Sequence, residues 1–194
     1  MDYKIVLATA ATIISFIGYL PYIRDVLKGT TKPHLFTWLI WTLLTGIAFL
    51  AQVAGGGGTG AYVTAFSTIM CLIIAVLAFP RGEKNITRLD WACFIAALFG
   101  IVLWQLTGDP LLAVIIVVAT DTVAFVPTFR KAFWKPREET AIMYALDTIR
   151  FILAIIALES FSVTTWLYPA AVAFTDGIFV IFVLIRRRQI GSAT

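Results

Sequence analysis

Apolar residues come in seven runs of about 20, at 4–24, 34–54, 61–80, 89–106, 110–130, 139–158 and 163–185. A run of that length crosses a ~30 Å hydrocarbon core at 1.5 Å per residue. Polar breaks separate the runs: Arg24 to Pro33, Gly55 to Gly60, Pro80 to Arg88, Thr107 to Pro110, Lys131 to Glu138 and Glu159 to Val163. The pattern predicts an all-α integral membrane protein with seven transmembrane helices. The first run lacks a basic leader and a small-residue cleavage site, so it reads as a retained helix. The Gly55–Gly58 stretch reads as a turn, because it lacks the Lys and Ser/Thr of a phosphate-cradling loop.

Composition fits this reading. Hydrophobic residues make up 60% of the 194 and charged residues 13%, against about 25% charged in soluble domains. Thirteen of the fifteen Lys and Arg fall in alternate breaks. Arg24, Lys28 and Lys32 lie in the first, and Arg81, Lys84 and Arg88 in the third. Arg130, Lys131, Lys135 and Arg137 lie in the fifth, and Arg186, Arg187 and Arg188 follow the last run. The positive-inside rule makes that face cytoplasmic. The N-terminus is then outside and the C-terminus cytoplasmic, in a bacterial-type inner membrane. The formal charge of +4 is thereby read as an orientation signal, and no nucleic-acid partner is expected. Cys71 and Cys93 lie inside apolar runs and read as small buried residues rather than a disulfide.

Self-comparison reveals an internal repeat. A shift of 106 lays Gly18-Tyr19-Leu20-Pro21-Tyr22-Ile23-Arg24 on Ala124-Phe125-Val126-Pro127-Thr128-Phe129-Arg130. The same shift pairs Trp38 with Tyr144 and Thr42 with Thr148, and a shift of 108 pairs Ala65-Phe66-Ser67-Thr68 with Ala173-Phe174-Thr175-Asp176. Residues 1–80 thus form one three-helix repeat and 109–194 a second, which carries the basic tail. Residues 81–108 hold a linker and a connector helix. An odd helix number inverts each unit relative to the next, and one extra helix restores parallel repeats about an axis along the membrane normal. Pro21 and Pro127 each lie three residues before an arginine near the cytoplasmic end of a helix. There they either end the helix or bend it as paired gating hinges.

Seven helices arranged three, one and three, with a proline at the cytoplasmic end of helices 1 and 5, resemble the PQ-loop superfamily. This group includes the SWEET (MtN3-type) sugar transporters, lysosomal amino-acid exporters and the KDEL-receptor fold. The glutamine of the name-giving dipeptide is absent, replaced by Tyr22 in one half and Thr128 in the other. The resemblance implies alternating-access movement of a small polar solute.

Ionisable residues inside membrane spans are costly and usually face a cavity, a partner or an ion path. Asp121, Asp147, Arg150 and Asp176 are four such residues. Counting from the cytoplasmic ends places the three carboxylates ~13, ~12 and ~15 Å deep, at nearly one level. Asp147 and Arg150, three apart, share a helix face and are expected to pair. The first repeat carries Ser15, Trp41, Leu44 and Thr68 at the matching positions. Trp38, Trp41 and Tyr144 fall near the same depth and add an aromatic surface suited to a cationic or ring-bearing solute. Gln52, Gln105, Thr42 and Thr45 add hydrogen-bonding groups within the spans. His34 reads as a boundary residue. No nucleophile elbow, zinc signature or nucleotide loop occurs, so neither an enzyme nor a cofactor or metal site is expected. The expected function is that of a secondary transporter or facilitator for a small polar solute, with proton coupling through the carboxylates. A vitamin-precursor carrier of the nicotinamide-riboside type and a seven-helix receptor without transport stay open, as does homo-oligomerisation.

Overall fold

The computed structural model describes residues 3–54, 58–107, 110–157 and 163–191. All regular elements among them are helical: α1 (Tyr3–Leu27), α2 (Leu35–Ala54), α3 (Gly58–Arg81), α4 (Arg88–Leu106), α5 (Pro110–Trp134), α6 (Ala141–Ile156) and α7 (Val163–Gly191), with a short 3-10 turn at Pro136–Glu138. Gly55–Gly57 of the predicted turn and the side chain of Gln52 lie outside the described residues. Two helical stretches, Tyr3–Leu27 and Trp166–Ile190, are long and apolar enough to cross a membrane; Leu35–Gly46 and Ala65–Arg81 are shorter apolar stretches.

The helices run past several predicted boundaries. Neither proline ends its helix: α1 continues through Pro21 to Leu27, and α5 through Pro127 to Trp134. Gly29 stops the chain after α1, adopting φ +76°, a left-handed conformation that favours glycine. A helical proline has no N–H to give the carbonyl four residues back, which for Pro127 is that of Val123. On the same turn, the Ala124 carbonyl accepts from Thr37 Oγ1 at 2.7 Å, tying α5 to α2 beside the proline. At α6 the helix begins later than predicted, because Glu139 takes extended backbone (φ −117°, ψ 141°) after the 3-10 turn. Thr87 and Asp90 form a reciprocal cap at the start of α4, with Thr87 N–H donating to Asp90 Oδ2 and Asp90 N–H to Thr87 Oγ1.

One end of the bundle gathers the ends of all seven helices that flank the basic breaks. There Lys32 at the end of the α1–α2 loop bonds Glu138 before α6, and Glu83 after α3 pairs with Lys135 after α5. Arg130 of α5 reaches Asp90 of α4, and Arg187 of α7 donates to the Pro136 carbonyl. Successive helices therefore alternate in direction, with α1, α3, α5 and α7 ending at this basic end. Gly82 lets the end of α3 lie against the α1–α2 loop, since a Cβ there would fall 2.6 Å from the Pro33 carbonyl oxygen.

The packing has an internal correspondence. Helix α2 packs on α3 and α6 on α7; α1 packs on α3 and α5 on α7; α1 packs on α6 and α2 on α5. Exchanging α1 for α5, α2 for α6 and α3 for α7 maps this set onto itself, and α4 lies outside it, against α5 and α2. Lys32 and Glu138, which bond each other through both backbone and side chain, are themselves 106 residues apart.

Polarity runs inside out. Asp90, Asp121, Lys131, Glu139, Arg150 and Asp176 are buried, whereas Phe99 is 62% and Phe174 69% exposed. An aromatic core of Tyr22, Trp38, Phe125, Tyr144 and Phe179 lies between these polar groups.

Candidate functional site

The described residues bring the four charged positions together. Arg150 pairs with Asp147 at 2.7 Å, one turn apart on α6, and donates through Nη1 to Ser67 Oγ of α3 at 2.8 Å. Asp121, Asp147 and Asp176 lie within electrostatic reach of one another. Tyr19 of α1 and Cys71 of α3 face the same group, their side chains 3.9 Å apart. Helices α5, α6 and α7 supply the charges, and α1 and α3 close the site from the other side.

Beside the carboxylates stands the aromatic surface. Trp41 packs edge-on to Trp38 and to Phe125, each with ring centroids 5.0 Å apart. Phe125 in turn stacks on Tyr144 at 5.8 Å. Trp38 is committed to packing: its ring is buried and its indole N–H donates to Tyr22 Oη at 3.2 Å. Trp41 differs. Its indole nitrogen faces Asp121 without reaching hydrogen-bond geometry. Ser15 Oγ, Trp41 Nε1, Tyr144 Oη and Arg150 Nε are all buried polar atoms with no hydrogen-bond partner. Unsatisfied buried groups are uncommon in folded proteins, and these four all belong to residues singled out from the sequence. Tyr144 also lies within electrostatic reach of Asp176, and Ser15 is one turn before Tyr19 on the same face of α1.

A second polar cluster at the basic end was not anticipated. Lys131, read as an orientation charge, is buried and ion-paired with Glu139, and its Nζ also donates to the Lys32 carbonyl across the bundle. Thr140 donates to Asp25 Oδ2 at 3.0 Å, joining the start of α6 to the end of α1. Arg187 adds a hydrogen bond to the Glu139 carbonyl. The missed signal lies in the repeat itself. The shift of 106 pairs Asp25 with Lys131 and Lys32 with Glu138, placing opposite charges at matching positions.

His34 lies in this layer, fully buried just before α2, with Nε2 3.6 Å from Asp90 Oδ2. Burial pushes its pKa down to about 4, helped by the Lys131 and Arg130 charges and opposed by Asp90. An unfolded histidine takes up its proton near pH 6.5. The folded state is therefore expected to lose stability as pH falls from about 6.5 towards 4, by up to ~3 kcal/mol. Comparing the pH dependence of the melting temperature for His34→Gln and the parent protein tests this. The variant should lose part of the slope in that window; identical slopes would refute it.

Among the described residues no cluster of His, Cys, Asp or Glu could hold a metal ion, and Cys71 and Cys93 are free thiols. No family model, curated protein or solved structure matches this chain.

Proposed function

We propose that the chain is a seven-helix membrane carrier that moves a small polar solute by alternating access, coupled to protons. Two parallel three-helix repeats, α1–α3 and α5–α7, flank the connector α4, and the basic end faces the cytoplasm. The inside-out polarity supports insertion, since exposed phenylalanines suit a hydrocarbon solvent and buried charges do not need water if they are paired. Alternating helix direction and the exchange correspondence support the repeat. Both agree with the PQ-loop resemblance, which is a matter of architecture.

The observation that carries the reading is the set of unsatisfied polar atoms of Ser15, Trp41, Tyr144 and Arg150 beside Asp121, Asp147 and Asp176. All four present N–H or O–H donors, from helices of both repeats, where a polar solute would complete their bonding. Trp41 and Tyr144 offer ring faces for a cationic or ring-bearing solute. Three neighbouring carboxyl groups face a single cation, Arg150, which is paired with Asp147, so the cluster is suited to carry an exchangeable proton. That proton is the coupling ion in this reading, and Arg150 is the fixed counter-charge.

Alternating access needs a closure that opens. The buried layer around Lys131 and Glu139 closes the basic end in this conformation. Pro21 and Pro127, each inside a continuous helix seven or fewer residues from that layer, are the hinges about which it would separate.

The test uses protein reconstituted in liposomes that enclose a pH-sensitive dye. Sugars, amino acids and nicotinamide riboside are each added with and without an inward proton gradient. At least one solute is expected to enter and acidify the lumen. Asp176→Asn is expected to abolish the acidification and reduce gradient-driven uptake at least about tenfold, equivalent to ~1.4 kcal/mol. Saturable binding with no flux for any solute would favour a receptor and overturn the carrier reading. Uptake unaffected by Asp176→Asn would overturn proton coupling through this cluster.

A further inference from the structure

The two three-helix units differ on one outer face. In the first, Phe16 of α1 packs against Phe66 of α3, with ring centroids 6.1 Å apart. The shift of 106 replaces Phe16 by Thr122, and the counterpart of Phe66, Phe174, is 69% exposed. A cavity of about 410 Å³ lies between α5 and α7. Phe125, Phe129 and Phe133 of α5 and Phe182 of α7 line it, with Thr122 and Thr175 towards one end and Arg130 towards the other. Thr122 to Phe133 spans twelve residues of helix, ~16 Å from first to last.

The basic end of this groove is charged. The Arg186 guanidinium lies over the Phe133 ring, 4.0 Å from its centroid, and donates twice to the Phe133 carbonyl. Its Nη1 donates to Gln189. Arg130 is held through Nε and Nη2 by Asp90 and the Asn85 carbonyl, so Arg186 is the cation more readily turned to a ligand.

We propose that this groove binds an anionic phospholipid of the cytoplasmic leaflet, with one acyl chain along the phenylalanines and the phosphate on Arg186. The inference rests on the membrane reading above but not on transport. The trough is mainly aromatic and its two threonine hydroxyls donate to carbonyls of their own helices, so it offers a polar solute little to bond, and an acyl chain fills it. Basic pockets between helices at the cytoplasmic side suit anionic headgroups, and here charge and trough meet at Phe133. Thr122 stands where the first unit has Phe16, so the ring that packs on Phe66 there has no counterpart at this end of the groove.

The test is native mass spectrometry of the detergent-solubilised protein titrated with phosphatidylglycerol or phosphatidylcholine. Phosphatidylglycerol is expected to bind more tightly. Arg186→Gln should lower that preference about fivefold, as expected for one arginine near the headgroups, while leaving phosphatidylcholine binding in place. Thr122→Phe, which copies the first unit at an exposed position, should weaken both lipids together. Equal affinity for the two lipids in the parent protein, or variants that bind as the parent does, would overturn the proposal. Carbonate washing of membranes separates the two readings. Protein that stays with the membrane but shows no preference refutes only the lipid site, whereas protein released as soluble material refutes membrane insertion and the lipid site together.

Discussion

Replacing Arg150 by methionine is expected to leave little folded protein, at a cost of about 3–5 kcal/mol, the range found when one partner of a buried ion pair is removed. An exposed pair at the same spacing on a helix would be worth only ~0.3–0.5 kcal/mol, so burial decides the outcome. Arg150 is 6% exposed. It pairs with Asp147, bonds Ser67 and lies 4.2 Å from the centre of the Phe151 ring. Methionine keeps much of the length and apolar bulk of the side chain and removes the charge, leaving three neighbouring carboxyl groups with no counter-ion. Total stability of ordinary domains is ~5–15 kcal/mol, so such a loss is visible as a large fall in thermal midpoint and in monodisperse yield. Adding Asp147→Asn to Arg150→Met should recover much of it, because the double variant buries one charge fewer. A double-mutant cycle is expected to give an interaction energy above ~2 kcal/mol. If Arg150→Met costs under ~1 kcal/mol, the cluster is not a buried charge system and the site described above is wrong.

This pair was legible in the amino-acid sequence. Three residues apart on a helix fixes a shared face, and the short count from each basic break fixes depth, so Asp121, Asp147, Arg150 and Asp176 could be brought together from sequence alone. The prolines were legible only in part. Pro21 and Pro127 mark equivalent places, but whether a helix stops or continues there depends on its packing against other helices. Beside Pro127, Thr37 of α2 donates to the Ala124 carbonyl of α5, a contact that no local pattern shows. Trp38 and Trp41 are three apart, and sequence separates them only by depth, Trp41 being the deeper. Their difference arises from neighbours: Tyr22 occupies the Trp38 N–H, while Trp41 is left facing a carboxylate.

The polar layer at the basic end was illegible for a different reason. Residues beside a polar break are expected to face water, and hydropathy carries no information on which of them turn inward. Lys131 and Lys135 lie on the same break with the same side chain. Lys131 is 2% exposed, whereas the Lys135 side chain is 41% exposed and paired with Glu83. Only the comparison of the two repeats held a clue, in the opposite charges at Asp25 and Lys131 and at Lys32 and Glu138. A homodimer of one three-helix unit would set like charges against each other at the position of Lys32. The fused chain can hold a lysine and a glutamate there.

That layer supports the second large prediction, in which two ion pairs of similar appearance are expected to behave differently. Lys32 and Glu138 lie 2.7 Å apart with side chains 40% and 23% exposed. Solvent screening and side-chain entropy keep such a pair below ~1 kcal/mol, so Lys32→Ala should shift the thermal midpoint little, since its backbone bond to Glu138 survives. Lys131 and Glu139 are almost wholly buried. Lys131→Met strands the Glu139 carboxyl and removes the donor to the Lys32 carbonyl, and about 3–5 kcal/mol should be lost. Removing both charges, with Lys131→Met and Glu139→Gln together, should restore part of the loss, since the desolvated carboxylate is gone while the Lys32 carbonyl stays without its donor. Thermal unfolding in detergent micelles measures all three. Equal losses for Lys32→Ala and Lys131→Met, or a double variant no better than Lys131→Met, would show that the layer is solvated and does not close the basic end.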